Sequence, residues 1–209
     1  MSPRVTEQHK EQRRLEILQA AAAVFKRKGY DQTSMQDVID ETGMSRGGVY
    51  LYFTGKEELF WALLVQVHAE HKTGYDALLE KYPSAWEAVE HFLRVQQEEF
   101  LHVKESLVPA MFEFFSSCWR DEKRRPFMAT RYKTSVREFA AFLQAGVERG
   151  DFHPILPVET IAQFVISLLD GISADVLLIG DEVFDVTRQI DSLRVYLRHA
   201  LQVKVGHTP

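Results

Sequence analysis

Residues 33–60 read TSMQDVIDETGMSRGGVYLYFTGKEELF, and the fold turns on how this stretch is read. It predicts two short helices joined by a tight glycine turn, the second opening with small residues and carrying two tyrosines. Ser34 with Asp37 three residues on has the pattern of a capping box and opens a helix over 35–42, with Val38 and Ile39 facing inward. Gly43 supplies the positive φ of a sharp turn, and Ser45 can cap the next helix, over 46–52. Val38, Ile39, Met44, Val49 and Phe53 make an inward face that packs on the preceding helix through Phe25. Ser45, Arg46, Gly47, Gly48 and Tyr50 go outward. A helix meant for a DNA groove needs little bulk where it meets bases, and hydroxyls and positive charge where it meets phosphates. The same spacing also suits a plain packing device, so these residues alone leave both readings open.

Helical spacing recurs along the whole chain and strand signals are nearly absent. A first helix covers about 11–28, with Ile17, Leu18, Ala21, Ala22 and Phe25 as its apolar stripe and Gly29 as its stop. Thr54 with Glu57 opens a long helix to about residue 81 through Leu59, Phe60, Leu63, Leu64 and Val67. Tyr82-Pro83-Ser84 ends it, and Ser84 with Glu87 caps the next, to about residue 105. Pro109 sits at the first turn of a further helix or kinks a longer one. An aromatic-dense segment follows over 111–119, then a charged break and a helix to about 148 stopped by Gly150. The last two helices cover about 158–179 and 186–203. The predicted fold is all-α with about nine helices, a three-helix unit preceding a larger bundle.

The chain has 209 residues, 45% of them hydrophobic, enough for a packed core. Its formal charge is −5, but the balance is uneven: residues 1–56 hold nine Lys/Arg against seven Asp/Glu, and the remainder sixteen against twenty-three. An acidic body repels DNA, so any DNA-facing surface belongs to the N-terminal quarter. Cys118 is the only cysteine, which excludes an intrachain disulfide and suits a reducing compartment. The opening residues are polar, and the greasiest stretch, 160–179, is broken by Gln163, Ser167, Asp170, Ser173 and Asp175. The expectation is a soluble cytoplasmic protein with no membrane partner.

No phosphate-loop glycine pattern, nucleophile elbow or zinc-hydrolase motif is present, so no catalytic residue and no cofactor is expected. His68 and His71 lie three apart, but no third ligand accompanies them, and solvated histidines are the plainer reading. Cys118 reads as a small buried hydrophobe rather than a redox sensor.

The stretch ILQAAAAVFKRKGYDQTSMQDVIDETGMSRGGVYLYFTGKEEL, residues 17–59, resembles the N-terminal domain of the TetR (tetracycline repressor) family of bacterial regulators. The shared elements are the Ile-Leu-x-Ala-Ala start, Phe25, Gly29, Thr33-Ser34, Val38-Ile39, Gly43-Met44-Ser45, Tyr50-x-Tyr-Phe53 and Lys56-Glu57-Glu58-Leu59. The resemblance implies a helix-turn-helix DNA-binding domain over 1–56 and a ligand-binding and dimerisation domain over 57–209. It implies that Thr33, Ser34, Tyr50, Tyr52 and Lys56 meet phosphates. Ser45 would sit at the groove entrance, Arg46 would bond a guanine O6/N7 edge or grip a phosphate, and Gly47 and Gly48 let the backbone approach the bases. Gly48 departs from the family pattern, where Thr or Ser is commoner. Arg4, Lys10, Arg13 and Arg14 would reach the backbone or minor groove.

By the same resemblance the last two helices form a homodimer interface, for which the apolar stripes Ile161, Phe164, Val165, Leu168, Ile172 and Ile190, Leu193, Leu197 are the candidates. A symmetric pair implies a near-palindromic operator in double-stranded DNA. An effector pocket would lie in the C-terminal domain, with Met111, Phe112, Trp119 and Tyr132 as candidate walls. The expected function is a repressor released by a small apolar or amphipathic effector. A small-molecule binding or carrier protein, with the helix-turn-helix as scaffold, is the alternative.

Overall fold

The computed structural model describes residues 7–116, 120–122 and 124–203, with 68–73 described by backbone alone. Among the described residues it is all-helical: α1 (Glu7–Lys28), α2 (Met35–Thr42), α3 (Arg46–Tyr50), α4 (Lys56–Lys81), α5 (Ala85–Leu101), α6 (Val108–Ser116), α7 (Arg125–Glu148), α8 (Val158–Ile179) and α9 (Val186–Ala200), with a 3-10 turn at Val103–Glu105. The chain forms two compact units, one of residues 1–70 with 105–116, the other of 71–104 with 117–209. The division expected at residue 56 therefore lies inside the packed N-terminal unit. Leu59, Phe60 and Leu63 of α4 are buried there, and so are Ala110 and Phe114 of α6.

Local chemistry accounts for most helix ends. The Ser34 hydroxyl accepts from the Asp37 N–H while the Asp37 carboxylate accepts from the Ser34 N–H, closing the expected capping box. Ser84 accepts from the Glu87 N–H. At Thr54 the expectation needs correction: its N–H and hydroxyl donate to Glu58, at 2.8 and 2.6 Å, not to Glu57. Three helices also stop earlier than spacing suggests. α3 ends at Tyr50, α9 at Ala200, and α5 at Leu101, where the chain tightens into the 3-10 turn.

In the N-terminal unit α1 packs on α2 and α6. Ile17, Leu18, Ala21, Val24 and Phe25 of α1 meet Val38 and Ile39 of α2, and Val49 and Phe53 of the α3 region, in one core. Its aromatic centre is Phe25, Tyr30, Phe60 and Phe114, with ring centroids 4.6 Å apart for Phe25–Phe60 and 4.8 Å for Tyr30–Phe114. Each such pair contributes about 0.5–1.5 kcal/mol beyond area burial.

In the C-terminal unit α5 packs against α7, α8 and α9, and α8 against α7 and α9. Phe92, Phe139 and Phe142 surround the Tyr75 ring, which stacks on Phe142 at 5.0 Å. Burial pushes the Tyr75 phenol above its ordinary pKa, with Glu138 and Glu99 adding to the shift. The Arg131 guanidinium grips the Asp170 carboxylate with two hydrogen bonds, 2.6 and 3.1 Å, pinning α7 to α8. α8 is long and apolar enough by composition to cross a membrane. Its face of Ile161, Val165, Leu169, Ile172 and Val176 is instead buried in this unit.

Gly146 on α7 is required by packing. A Cβ there would run into the Phe152 ring and lie 2.8 Å from Ala85 Cβ. Gly43 has open space around it but a φ of 64°. Gly146→Ala should therefore cost about 1–3 kcal/mol through overpacking, and Gly43→Ala about 1 kcal/mol through backbone strain. Thermal melts followed by circular dichroism test this; an unchanged melting temperature for Gly146→Ala would show that Phe152 can move aside.

Candidate nucleic-acid interface

The α2–turn–α3 segment is built by short-range hydrogen bonds. Gly43 takes the left-handed conformation and its N–H donates to the Asp40 carbonyl. The Thr42 hydroxyl donates to the Ile39 carbonyl at 2.8 Å and accepts from the Met44 N–H at 3.1 Å. Ser45 then caps α3, its Oγ accepting from the Gly48 N–H at 3.2 Å. Val49, fully buried, and Phe53, 2% exposed, anchor the inner side of α3. Ser45, Arg46, Gly47 and Tyr50 are exposed together on the other side, with Gly48 half-buried.

That outer face is open. A Cβ on Gly47 would meet nothing within 4 Å, so no contact within the chain demands a glycine there. At Gly48 a Cβ would sit 3.3 Å from Ser45 Oγ, so a larger residue would crowd the cap. The Arg46 guanidinium lies over the Tyr50 ring, 5.4 Å from its centroid. Leu51, the residue directly after α3, is apolar yet 80% exposed.

The other expected contacts divide. Thr33 is withdrawn from the surface: it is 3% exposed, and its hydroxyl donates to the Gly29 carbonyl at 2.6 Å. The Ser34 hydroxyl is exposed but already donates to Asp37, at 2.7 Å. Tyr52 is half-buried and lines a groove of about 330 Å³ with Glu7, Lys10, Glu11, Arg14 and Leu51. The Lys56 ammonium donates to the carbonyls of Tyr30, at 2.8 Å, and Asp31, at 3.3 Å, and sits over the Tyr30 ring. Lys56 is thus first a tie within the unit.

Charges on α1 are locally paired. Lys10 meets Glu7, Arg13 meets Glu16 and Arg14 meets Glu11, each within the helix. Arg4 lies outside the described residues. Arg27 and Lys28, in the last turn of α1, cross to α2 and bind Glu41 and Asp37 at 2.7 and 2.5 Å. The Lys28 hydrogen bond, then those from Ser34, hold the Asp37 carboxyl far below the usual carboxylate range.

The other candidate sites are rearranged by folding. Of the effector candidates, Met111 packs on the N-terminal core and Phe112 of the same unit is 36% exposed. Tyr132 belongs to the C-terminal unit, where it lines an open groove of about 500 Å³ between α7 and α8 with Val136, Arg137 and Ala140. Trp119, like Cys118, lies outside the described residues, as do the side chains of His68 and His71. No group of three or more His, Cys, Asp or Glu among the described residues is placed to hold a metal.

The apolar stripes chosen for pairing face the wrong way. Ile161, Val165, Ile172, Ile190, Leu193 and Leu197 are all 0–1% exposed within the single chain, so they are its own core. Of the eight residues, Phe164 is 48% exposed and Leu168 half-buried.

Comparison with known proteins bears on these surfaces. Residues 17–63 match "Bacterial regulatory proteins, tetR family", and residues 88–187 match "Tetracyclin repressor-like, C-terminal domain". The uncharacterized HTH-type transcriptional regulator YfiR of Bacillus subtilis (strain 168) is 40% identical over 208 residues, covering 97% of this chain and 98% of the relative. The HTH-type transcriptional repressor KstR2 of Mycolicibacterium smegmatis is 27% identical over 153 residues, 73% of this chain and 74% of that one. Among solved structures, the TetR family transcriptional regulator CifR, in a cysteine mutant complexed with 26-bp double-strand operator DNA, superposes with a TM-score of 0.63 at 26% identity. That alignment covers 87% of this chain and 94% of CifR.

The depressed Asp37 pKa links the α2 cap to acid stability. Above an unfolded carboxylate pKa of about 3.9 the ion pair and cap contribute fully; as pH falls below that value the contribution is progressively lost. Asp37→Asn should therefore be less stable than the wild type by a margin that is constant at neutral pH and narrows below pH about 4. Urea melts across pH 2–7, a range chosen to bracket that value, measure the margin; one that does not narrow in acid would contradict the assignment.

Proposed function

Because the chain belongs to the TetR family of bacterial transcriptional regulators, whose N-terminal helix-turn-helix binds DNA, we propose that it is a dimeric, sequence-specific repressor released by a small effector. The supporting observation is the outer face of α3, where Ser45, Arg46, Gly47 and Tyr50 stand exposed on a helix fixed from behind by Val49 and Phe53. Arg46 bonds a guanine edge or a phosphate, and the bare Gly47 backbone allows close approach to the bases. Tyr50 and Tyr52 offer hydroxyls to phosphates. Ser34 and Lys56 take part at the edges of the contact, each by exchanging a bond it makes within the chain.

A five-residue helix reads too few base pairs for specificity alone. A second copy, with its reading helix roughly 34–36 Å away, completes a near-palindromic site. For that pairing α8 offers Phe164, Leu168, Gly171 and Leu178, a stripe with helical spacing, and α9 offers Val195 and Tyr196. Leu178 and Val195 are 66% and 69% exposed, and the Phe164 and Tyr196 rings meet at 4.4 Å. A Cβ on Gly171 meets nothing within 4 Å, which suits close approach by a partner helix.

The effector is a small apolar or amphipathic molecule taken up by the C-terminal unit, whose interior holds the Tyr75 ring among Phe92, Phe139 and Phe142. Binding acts on DNA affinity by favouring one of two arrangements, in one of which the reading helices no longer match the half-site spacing. α4 runs without interruption through the boundary between the units and carries that change. A regulator of this kind works where the bacterial chromosome is, in the cytoplasm.

Mobility shifts on DNA from upstream of the chain's own coding region, against a random duplex, test the reading. Arg46→Ala should lose about 1–3 kcal/mol on the operator and little on the random duplex. Equal losses on both would make Arg46 a phosphate contact, and no specific shift by the wild type would sink the repressor reading. Introducing charge at both Phe164→Glu and Val195→Glu should yield monomers in sedimentation and abolish the specific shift; persistence of the dimer would place the interface elsewhere.

A further inference from the structure

The turn between α1 and α2 is held from outside the helix-turn-helix. Glu113 lies on α6, 82 residues beyond Asp31, yet its carboxylate accepts the Asp31 N–H at 2.8 Å. The approach depends on Gly29. A Cβ there would lie 2.5 and 2.7 Å from the two Glu113 oxygens, so glycine leaves the space the carboxylate enters. Gly29 also has a φ of 76°, which a side chain would resist independently. The next residue on α6, Phe114, is 1% exposed and packs its ring on Tyr30 and Phe60.

Opposite charge holds the same turn through its carbonyls. The Lys56 ammonium, at the start of α4, donates to Tyr30 O and Asp31 O. An anion on the peptide N–H and a cation on the peptide carbonyls each complement the backbone dipole they meet. From here the geometry passes directly to α2. Thr33 donates its hydroxyl to Gly29 O and its N–H to Tyr30 O, and the next residue, Ser34, caps α2. α2 in turn carries α3 through the Gly43 turn.

We propose that Glu113 is a positioning residue for DNA recognition: by fixing the Gly29–Asp31 turn it sets the seat of α2, and with it the presentation of Arg46 and Tyr50. This rests on the DNA-binding reading above. Both ends of α6 continue into segments of the C-terminal unit, so that unit reaches the reading head covalently through α6 as well as α4.

Full-length wild type, Glu113→Ala and Glu113→Gln separate positioning from mere stabilisation. Binding to operator and to random duplex is measured beside amide exchange at Asp31 and the melting temperature. Glu113→Ala should speed Asp31 exchange and weaken operator binding by on the order of tenfold, as expected for an N–H left without its charged acceptor, while random-duplex binding is unchanged. Glu113→Gln keeps an acceptor oxygen and should restore both readouts. Unchanged operator affinity in Glu113→Ala overturns the proposal. So do equal losses on both duplexes that track the melting temperature, and so does a Gln variant as impaired as Ala. A wild type that cannot tell the two duplexes apart defeats the DNA-binding reading and this proposal with it; Asp31 protection still reports, separately, whether the tie exists.

Discussion

Tyr30 and the turn around it are the constraint on which the N-terminal unit depends. The ring is enclosed by Phe25, Phe60 and Phe114, which come from α1, α4 and α6. Its carbonyl is taken by Lys56 and the following N–H by Glu113. One residue thus joins three helices through apolar contact and organises the polar groups of a turn that water would otherwise solvate. Such a turn cannot shift by half an ångström without exposing aromatic surface or breaking a charge-assisted hydrogen bond. That rigidity lets a five-residue helix present its outer face in a defined direction.

Charge in this unit is used mainly for internal order. Lys10, Arg13, Arg14, Arg27 and Lys28 all have acidic partners, and Lys56 sits on backbone carbonyls. Exposed ion pairs contribute about 0–1 kcal/mol each, so they can exchange for phosphate at little cost. They also leave the head close to neutral in a chain of net charge −5. Long-range attraction to a polyanion is correspondingly modest, and on the proposed function recognition would fall on short-range fit around Arg46, Gly47 and Tyr50. The bare backbone at Gly47 and Gly48 is in keeping with that: it trades side-chain contacts for proximity.

The two last helices show how apolar surface is divided in a packed bundle. α8 lies against α5, α7 and α9 and spends its best stripe, Ile161, Val165, Leu169 and Ile172, on the chain's own core. What remains outside is a thinner line through Phe164, Leu168 and Leu178, relieved by Gly171. A helix with two apolar sides reads the same from periodicity whichever side meets a partner chain.

Much was legible in the sequence. The helix order, the Ser34, Ser45 and Ser84 caps, the Gly43 turn, the bounds of α2 and α8, and the inner face of Val38, Ile39, Val49 and Phe53 follow from spacing and capping chemistry, which act over three or four residues. The outward set Ser45, Arg46, Gly47 and Tyr50 is the complement of that inner face, so it was legible too. Tertiary structure alone decided what each polar group is bonded to and which apolar stripe meets what. It buried Thr33 in the N-terminal unit, turned Lys56 onto the Tyr30 turn 26 residues back, and placed α6 in the N-terminal unit. The physical reason is range: capping and periodicity are set by neighbours in the chain, whereas Glu113 finds Asp31 only after burial of Ala110 and Phe114 has carried α6 back to the first core.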